Sequence, residues 1–204
     1  MQARILIITL VLGTAVAAGL LLALRNAGED PAPVTATILP AGNELPDFTL
    51  LSHDGTPVGK SEFAGQWDLV FFGFTNCPDI CPATMTVLGQ AQRQLDAQGQ
   101  EPVPRVVLVS VDPERDTPEA MARYIGYFGD GNLGLTGEIG EISKLTDALG
   151  IFFQKAGSQD GSYGVDHSTV VLVIDPQGRL KALFSAPHSV ETLVHDLPLI
   201  MGSG

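Results

Sequence analysis

One short stretch constrains the fold of this chain more than any other. The apolar run Leu69-Val70-Phe71-Phe72-Gly73-Phe74 passes directly into Thr75-Asn76-Cys77-Pro78-Asp79-Ile80-Cys81-Pro82, which holds both cysteines of the sequence. A run this short and apolar, opened by Asp68, reads as a strand buried on both faces. Beyond it, Ala83 to Gln98 carries few helix breakers apart from Gly89, and Met85, Leu88, Gln92 and Leu95 share one side at helical spacing. Pro82 must lie in the first turn of that helix, because an interior proline removes a hydrogen bond and clashes with the preceding turn. Both cysteines are therefore expected on the loop entering the helix and at its cap.

The remaining pattern repeats the theme. Arg105 to Asp112 reads as a second buried strand, and Thr117-Pro118-Glu119 supplies a cap, a first-position proline and an acid for a helix running to about Phe128. Ile139, Ile142, Leu145 and Leu149 predict a further amphipathic helix stopped by Gly150. His167 to Asp175 reads as a strand, Pro176-Gln177-Gly178 as a turn and Leu180 to Phe184 as its hairpin partner, with a last helix over Val190 to Ile200. The order strand, helix, strand, helix, helix, hairpin, helix is that of an α/β thioredoxin-like sandwich with an inserted helix. In that layout the thiols lie at the carboxyl end of a central strand, where an open α/β sheet offers its crevice.

The N-terminal segment is of another kind. Ile5 to Leu24 is free of charge and bracketed by Arg4 and Arg25; twenty helical residues rise about 30 Å, the hydrocarbon thickness of a bilayer. Ala15-Val16-Ala17 resembles a signal-peptide cleavage site, but Gly19 to Leu24 continues the apolar run past it. The expectation is one N-terminal transmembrane helix anchoring the chain in a bacterial inner membrane, with the soluble part in the periplasm. The division is then a membrane anchor over 1–26, a Gly/Pro/Ala/Thr linker over 27–45 and one domain over 46–204. All 23 acidic residues and nine of the eleven basic ones follow the anchor, a formal charge near −14. Such a surface argues against nucleic-acid binding and against docking on anionic lipid.

The cysteine spacing says what the pair is for. Closing so small a loop would remove only about 2 kcal/mol of unfolded-state entropy, against about 4.7 for a loop of a hundred residues, so the pair is a poor staple. At a helix N-terminus a thiol should ionise more easily than a free one, which serves disulfide exchange and metal ligation alike. A third group separates the two. Two thiolates alone suit Cu(I), and one added imidazole makes a site for Cu(I) or Cu(II). Of the four histidines, His53 precedes a turn, and His188 and His195 fall in the C-terminal loop and helix. His167 opens the strand of the final hairpin, beside the thiol-bearing loop in a thioredoxin-like sheet.

Gly73-Phe74-Thr75-Asn76-Cys77-Pro78-Asp79-Ile80-Cys81-Pro82 resembles the signature of the Sco/SenC family, membrane-anchored copper proteins of cytochrome c oxidase assembly. Val111-Asp112-Pro113-Glu114-Arg115-Asp116-Thr117-Pro118 and Val165-Asp166-His167-Ser168 resemble two further blocks of that family, in the same order. The resemblance implies Cys77, Cys81 and His167 as copper ligands. It also implies a partner, cytochrome c oxidase subunit II or another copper protein, whose dinuclear copper site receives the metal or whose cysteines are reduced before loading. Asn76 departs from the family, where histidine is common, and asparagine is a poor copper ligand. A zinc site with the same ligands is geometrically open, but copper binds such donors more tightly. Met85 reads as core rather than as a fourth ligand. Asp112, Arg115 and Asp116 read as a strand end and capped helix or as a polar anchor, Asp166 as an orienting partner of His167 or a solvated group, and Asp79 as a turn residue that could tune the loop's charge.

Two other classes compete. A metal-independent thiol–disulfide oxidoreductase would cycle Cys77 and Cys81 as redox-active residues with no need of His167. A peroxidase of related fold would use a lone cysteine, unlike this proline-bounded pair. Tyr163, with Gly157, Gly161 and Gly164 around it, reads as a mobile flap or an ordinary surface loop.

Overall fold

The computed structural model describes residues 2, 12–20, 32–40, 42–157 and 163–202. The chain divides into two compact units, Met1–Ala32 and Pro33–Gly204. In the first, residues 12–20 are helical. Among the described residues no helix is long and apolar enough to cross a membrane, and most of the segment expected to do so lies outside them.

The second unit is built on an eight-stranded mixed sheet. Its strands are β1 (Thr37–Ile38), β2 (Leu50–Ser52), β3 (Pro57–Val58), β4 (Asp68–Gly73), β5 (Arg105–Ser110), β6 (Leu133–Thr136), β9 (Val171–Ile174) and β10 (Leu180–Phe184), in the spatial order β1-β10-β9-β4-β5-β6-β2-β3. A separate two-stranded sheet pairs β7 (Phe153–Gly157) with β8 (Tyr163–His167). Among the described residues four α-helices complete the unit: α1 (Ile80–Ala97), α2 (Pro118–Ile125), α3 (Ile139–Leu149) and α4 (Val190–Gly202).

Burial explains why β4 takes the centre. All six of its residues are buried, as an apolar run requires when both sheet faces are covered. β5 lies parallel to it on one side, and β9 antiparallel on the other. The hairpin β9–β10 and the helix α3 inserted before it match the thioredoxin-like layout. Along α1, Cys81, Thr84, Met85, Leu88, Ala91 and Leu95 are buried. Gln92, at the edge of that face, donates its amide to the Pro104 carbonyl and to Asn132 Oδ1, each at 3.0 Å. Thr117 caps α2 by accepting from the Ala120 N–H at 3.3 Å, and Gly150 ends α3 with the left-handed φ of 68° that favours glycine.

Several expectations need correction. Cys81 is not at the cap but within the first turn of α1, whose N-cap is Asp79. α2 ends at Ile125 rather than near Phe128, and Ile139, expected to face inward, is exposed. The stretch His167 to Asp175 is not one strand. His167 ends β8 opposite Phe153, and the chain turns between the two sheets where the Ser168 N–H meets the Phe152 carbonyl at 2.8 Å and Ser168 Oγ accepts from the Phe152 N–H at 3.0 Å.

Part of the stretch read as linker is folded. Thr37 and Ile38 pair with β10, and the N–H groups of Val34, Thr35 and Ala36 donate to the buried carboxylate of Asp196 at 2.8, 2.8 and 2.9 Å. Burial alone would raise the Asp196 pKa, but His195 and these three N–H groups outweigh it and hold the carboxyl well below its usual range.

Candidate metal centre

Three atoms able to ligate a metal converge from three separate segments. Cys77 sits on the loop after β4, Cys81 in the first turn of α1 and His167 at the end of β8, and their side-chain donor atoms all lie within 4.8 Å of one another. His167 Nε2 is 3.4 Å from Cys81 Sγ, and the Cys81 backbone N–H points at Cys77 Sγ at 3.4 Å. Both cysteines are free thiols, Cys77 half-buried and Cys81 fully buried. A cavity of about 370 Å³ opens onto the group, lined by Phe74, Cys77, Pro78, Asp79, Ile80, Val165, Asp166 and His167 among others. Cys77 and His167 reach that cavity, and Cys81 lies behind them.

Orientation of the imidazole follows from its other nitrogen. His167 Nδ1 lies 2.9 Å from the Ser168 carbonyl oxygen. A carbonyl can only accept, so the proton is on Nδ1 and the lone pair of Nε2 faces the thiols. The rings of Phe71 and Phe74 stand edge-on to the imidazole at 5.8 and 5.9 Å and fix its plane. Burial lowers the His167 pKa, against the Ser168 contact and the field of Asp166, which favours the neutral, metal-binding ring. Asp166 thus acts on His167 only through its charge, while Ser168 orients it.

The expectation that the helix N-terminus would acidify the thiols fails for Cys81. Burial raises its pKa strongly, outweighing a backbone hydrogen bond at Phe74. Desolvation of a thiolate costs more than the ~0.3–1 kcal/mol that a helix terminus returns. Metal binding reverses this balance, because a cation compensates the buried thiolate directly.

The three acidic and basic residues that follow β5 are a polar anchor. Asp116, fully buried, accepts from the Thr75 N–H at 3.0 Å, from Thr75 Oγ1 at 2.6 Å and from Ser110 Oγ at 2.7 Å, and so holds the loop that leads into Cys77. Asp112 accepts from Tyr163 Oη at 2.8 Å and pairs with Arg115. Arg115 donates to the Tyr163 carbonyl at 3.1 Å, and its guanidinium lies 3.9 Å above the Tyr163 ring. Tyr163 opens β8, so this clamp sets where His167 at the far end of the strand stands. The hydrogen bond to Asp112 pushes the Tyr163 pKa up to about 12 and keeps its donor proton in place.

Other residues considered as candidates lie elsewhere. Met85 is fully buried in the core, and Asn76 is exposed. Asp79 is exposed at the rim of the cavity. His53 Nδ1 accepts from the Gly134 N–H at 3.2 Å, His188 Nε2 lies 2.7 Å from the Thr169 carbonyl, and His195 pairs with Asp196. Gly161, one of the glycines read as a flap, lies outside the described residues. Sequence reasoning passed over Gly73. A Cβ there would stand 3.0 Å from Cys81 Sγ and 3.0 Å from Phe71 Cε1, so the bare backbone makes room for the thiol. An isolated glycine inside a strand is the available signal of such a close approach.

Comparison with known proteins agrees with this arrangement. A protein of Stutzerimonas stutzeri named for copper binding is 36% identical over 177 residues, 87% of this chain and 85% of its own length. The mouse mitochondrial protein SCO2 homolog is 38% identical over 152 residues, 74% of this chain and 60% of its own. The crystal structure of Arabidopsis thaliana ScoI with copper bound superposes with a TM-score of 0.75 at 30% identity, covering 79% of this chain and all of that one. The SCO1/SenC family model matches residues 36–202, and the chain belongs to that family.

Proposed function

We propose that this protein binds copper through Cys77 Sγ, Cys81 Sγ and His167 Nε2 and serves in the assembly of cytochrome c oxidase, delivering copper to the dinuclear site of subunit II or preparing the cysteines of that site. The observation that carries the reading is the convergence of two thiols and one neutral imidazole within 4.8 Å at an open cavity. Soft thiolates select copper over hard ions, and the imidazole extends the site to both oxidation states. Cys77 and His167 line the cavity while Cys81 does not, so an incoming thiolate would meet the outer ligands first and could take the metal by stepwise exchange. A metal-independent dithiol reductase is the weaker reading, because it has no use for His167 against Cys81.

The same reading makes residues 5–24 a membrane anchor and places the compact unit in the periplasm. Its support is the uncharged length of that segment. Extraction of the protein from membranes by alkaline carbonate would count against the anchor.

The deciding experiment titrates the reduced protein with Cu(I) and with Cu(II), then repeats both with His167→Ala. One copper per chain is expected, with thiolate charge-transfer absorption for Cu(II) that His167→Ala abolishes while Cu(I) is retained. Unchanged Cu(II) affinity and spectrum in the variant would show that the site is wrong.

A further inference from the structure

We propose, on the copper reading of Cys77, Cys81 and His167, that His188 is a positioning residue of the metal centre: it holds the turn from which His167 faces the thiols. His167 is the last residue of β8 and Val171 the first of β9, so Ser168, Thr169 and Val170 carry the chain from the small sheet to the large one. Within that crossing the Ser168 carbonyl faces His167 Nδ1 at 2.9 Å. The next carbonyl, that of Thr169, faces His188 Nε2 at 2.7 Å. A carbonyl can only accept, so His188 carries a proton on Nε2 and donates it. Two successive peptide carbonyls are thus each held by an imidazole, one a ligand and the other not.

The His188 bond differs from its neighbours in where it leads. Ser168 is otherwise bonded to Phe152, beside the start of β7, through its N–H at 2.8 Å and its hydroxyl at 3.0 Å. Those bonds stay within the hairpin and travel with it. β9 is held against β4 only from Val171 onward. Among the described residues, the bond to His188 is the one hydrogen bond of Ser168 and Thr169 that reaches outside the hairpin. His188 stands between β10 and α4, next to Ser189, whose hydroxyl and carbonyl accept from the Thr192 and Leu193 N–H groups at 3.2 Å each and start that helix. α4 packs against α1, the helix that carries Cys81, and its Leu193 and Leu197 are fully buried. The turn after His167 is therefore fastened to the same frame as the buried thiol. The Tyr163 clamp fixes one end of β8 and His188 the other. An imidazole already held 3.4 Å from Cys81 Sγ loses little further freedom when a metal arrives.

The test uses the full-length protein, reduced and in detergent. In His188→Ala the Cu(II) affinity, read by competition with a chelator, should fall about tenfold and the thiolate charge-transfer absorption should shift, as loss of a group that orients a ligand requires. Cu(I) affinity should change by less than about twofold, because two thiolates already suit that ion. His188→Gln keeps an N–H donor at similar reach and should restore both the Cu(II) affinity and the spectrum. In the metal-free protein, nitrogen NMR should report His167 as a single Nδ1–H tautomer, and as a mixture of tautomers in His188→Ala. Unchanged Cu(II) affinity and spectrum in His188→Ala would overturn the proposal while leaving the ligand set intact. A loss that His188→Gln does not restore, or that falls equally on Cu(I) and Cu(II), would overturn it too and make His188 a residue of general stability. If the unsubstituted protein gave no thiolate absorption with Cu(II), the copper reading would fall, and the role of His188 with it.

Discussion

The two sides of the metal centre are built in opposite ways. Cys77 and Cys81 hang from β4 and α1, whose residues pack at the centre of the eight-stranded sheet, and Cys81 is itself part of the hydrophobic core. His167 comes from β8, in a two-stranded sheet whose residues are mostly half-buried or exposed. The thiols are placed by burial, which is strong and spread over many contacts. The imidazole is placed by a few directed contacts: Ser168 on Nδ1, two phenylalanine edges, and the Tyr163–Asp112–Arg115 clamp. A ligand set divided this way ties the thiols to global stability and leaves the third ligand adjustable at small cost.

The largest effect should come from the core side. Cys81→Ala removes a ligand, and copper affinity should fall by more than the roughly 10–100-fold typical of losing an outer-shell partner, as read by competition with a chromophoric chelator. A loss of under tenfold would mean that Cys81 does not ligate. Next is Gly73→Ala, which must displace Cys81 Sγ or the Phe71 ring from 3.0 Å contacts. Overpacking of this kind costs about 1–3 kcal/mol, a fall of several degrees in Tm by calorimetry; an unchanged Tm would show that the strand yields freely.

Tyr163→Phe probes the hairpin side. It removes the hydroxyl that donates to Asp112, and copper affinity should drop about tenfold while global stability changes by no more than about 1 kcal/mol. Equal loss of affinity and stability in both Gly73→Ala and Tyr163→Phe would erase the contrast between the two sides. The smallest effect belongs to Lys155→Ala, which ends an exposed pair with Glu114 and a cation–π contact 4.9 Å from the Tyr163 ring. No measurable change in stability is expected for so exposed a pair, with copper affinity altered under about threefold.

The contrast also explains which parts were legible. β4, β5 and the buried face of α1 announce themselves because a strand or helix packed on the core must be apolar at fixed spacing. β7 and β8 carry no such pattern: Phe153-Gln154-Lys155-Ala156-Gly157 is neither alternating nor apolar, although its pairing partner begins only six positions on, at Tyr163 opposite Gly157. β1, β2 and β3 have only two or three residues each and exist because longer strands offer them an edge. The three residues that converge were all singled out in the sequence, but the placement of His167 was wrong: it ends a separate hairpin rather than opening the strand that becomes β9.

By itself the sequence determined a buried strand leading into paired thiols at the start of a helix, and an acidic composition. These properties depend on residues close together in the chain, where periodicity, proline geometry and spacing operate. Tertiary structure decided how His167 reaches Cys81 across 86 positions, which nitrogen it presents, and that Asp112, Arg115 and Tyr163 act as one clamp. It also reversed the expected acidity of Cys81. Desolvation and long-range hydrogen bonding depend on what the folded chain brings together, and no local pattern encodes them.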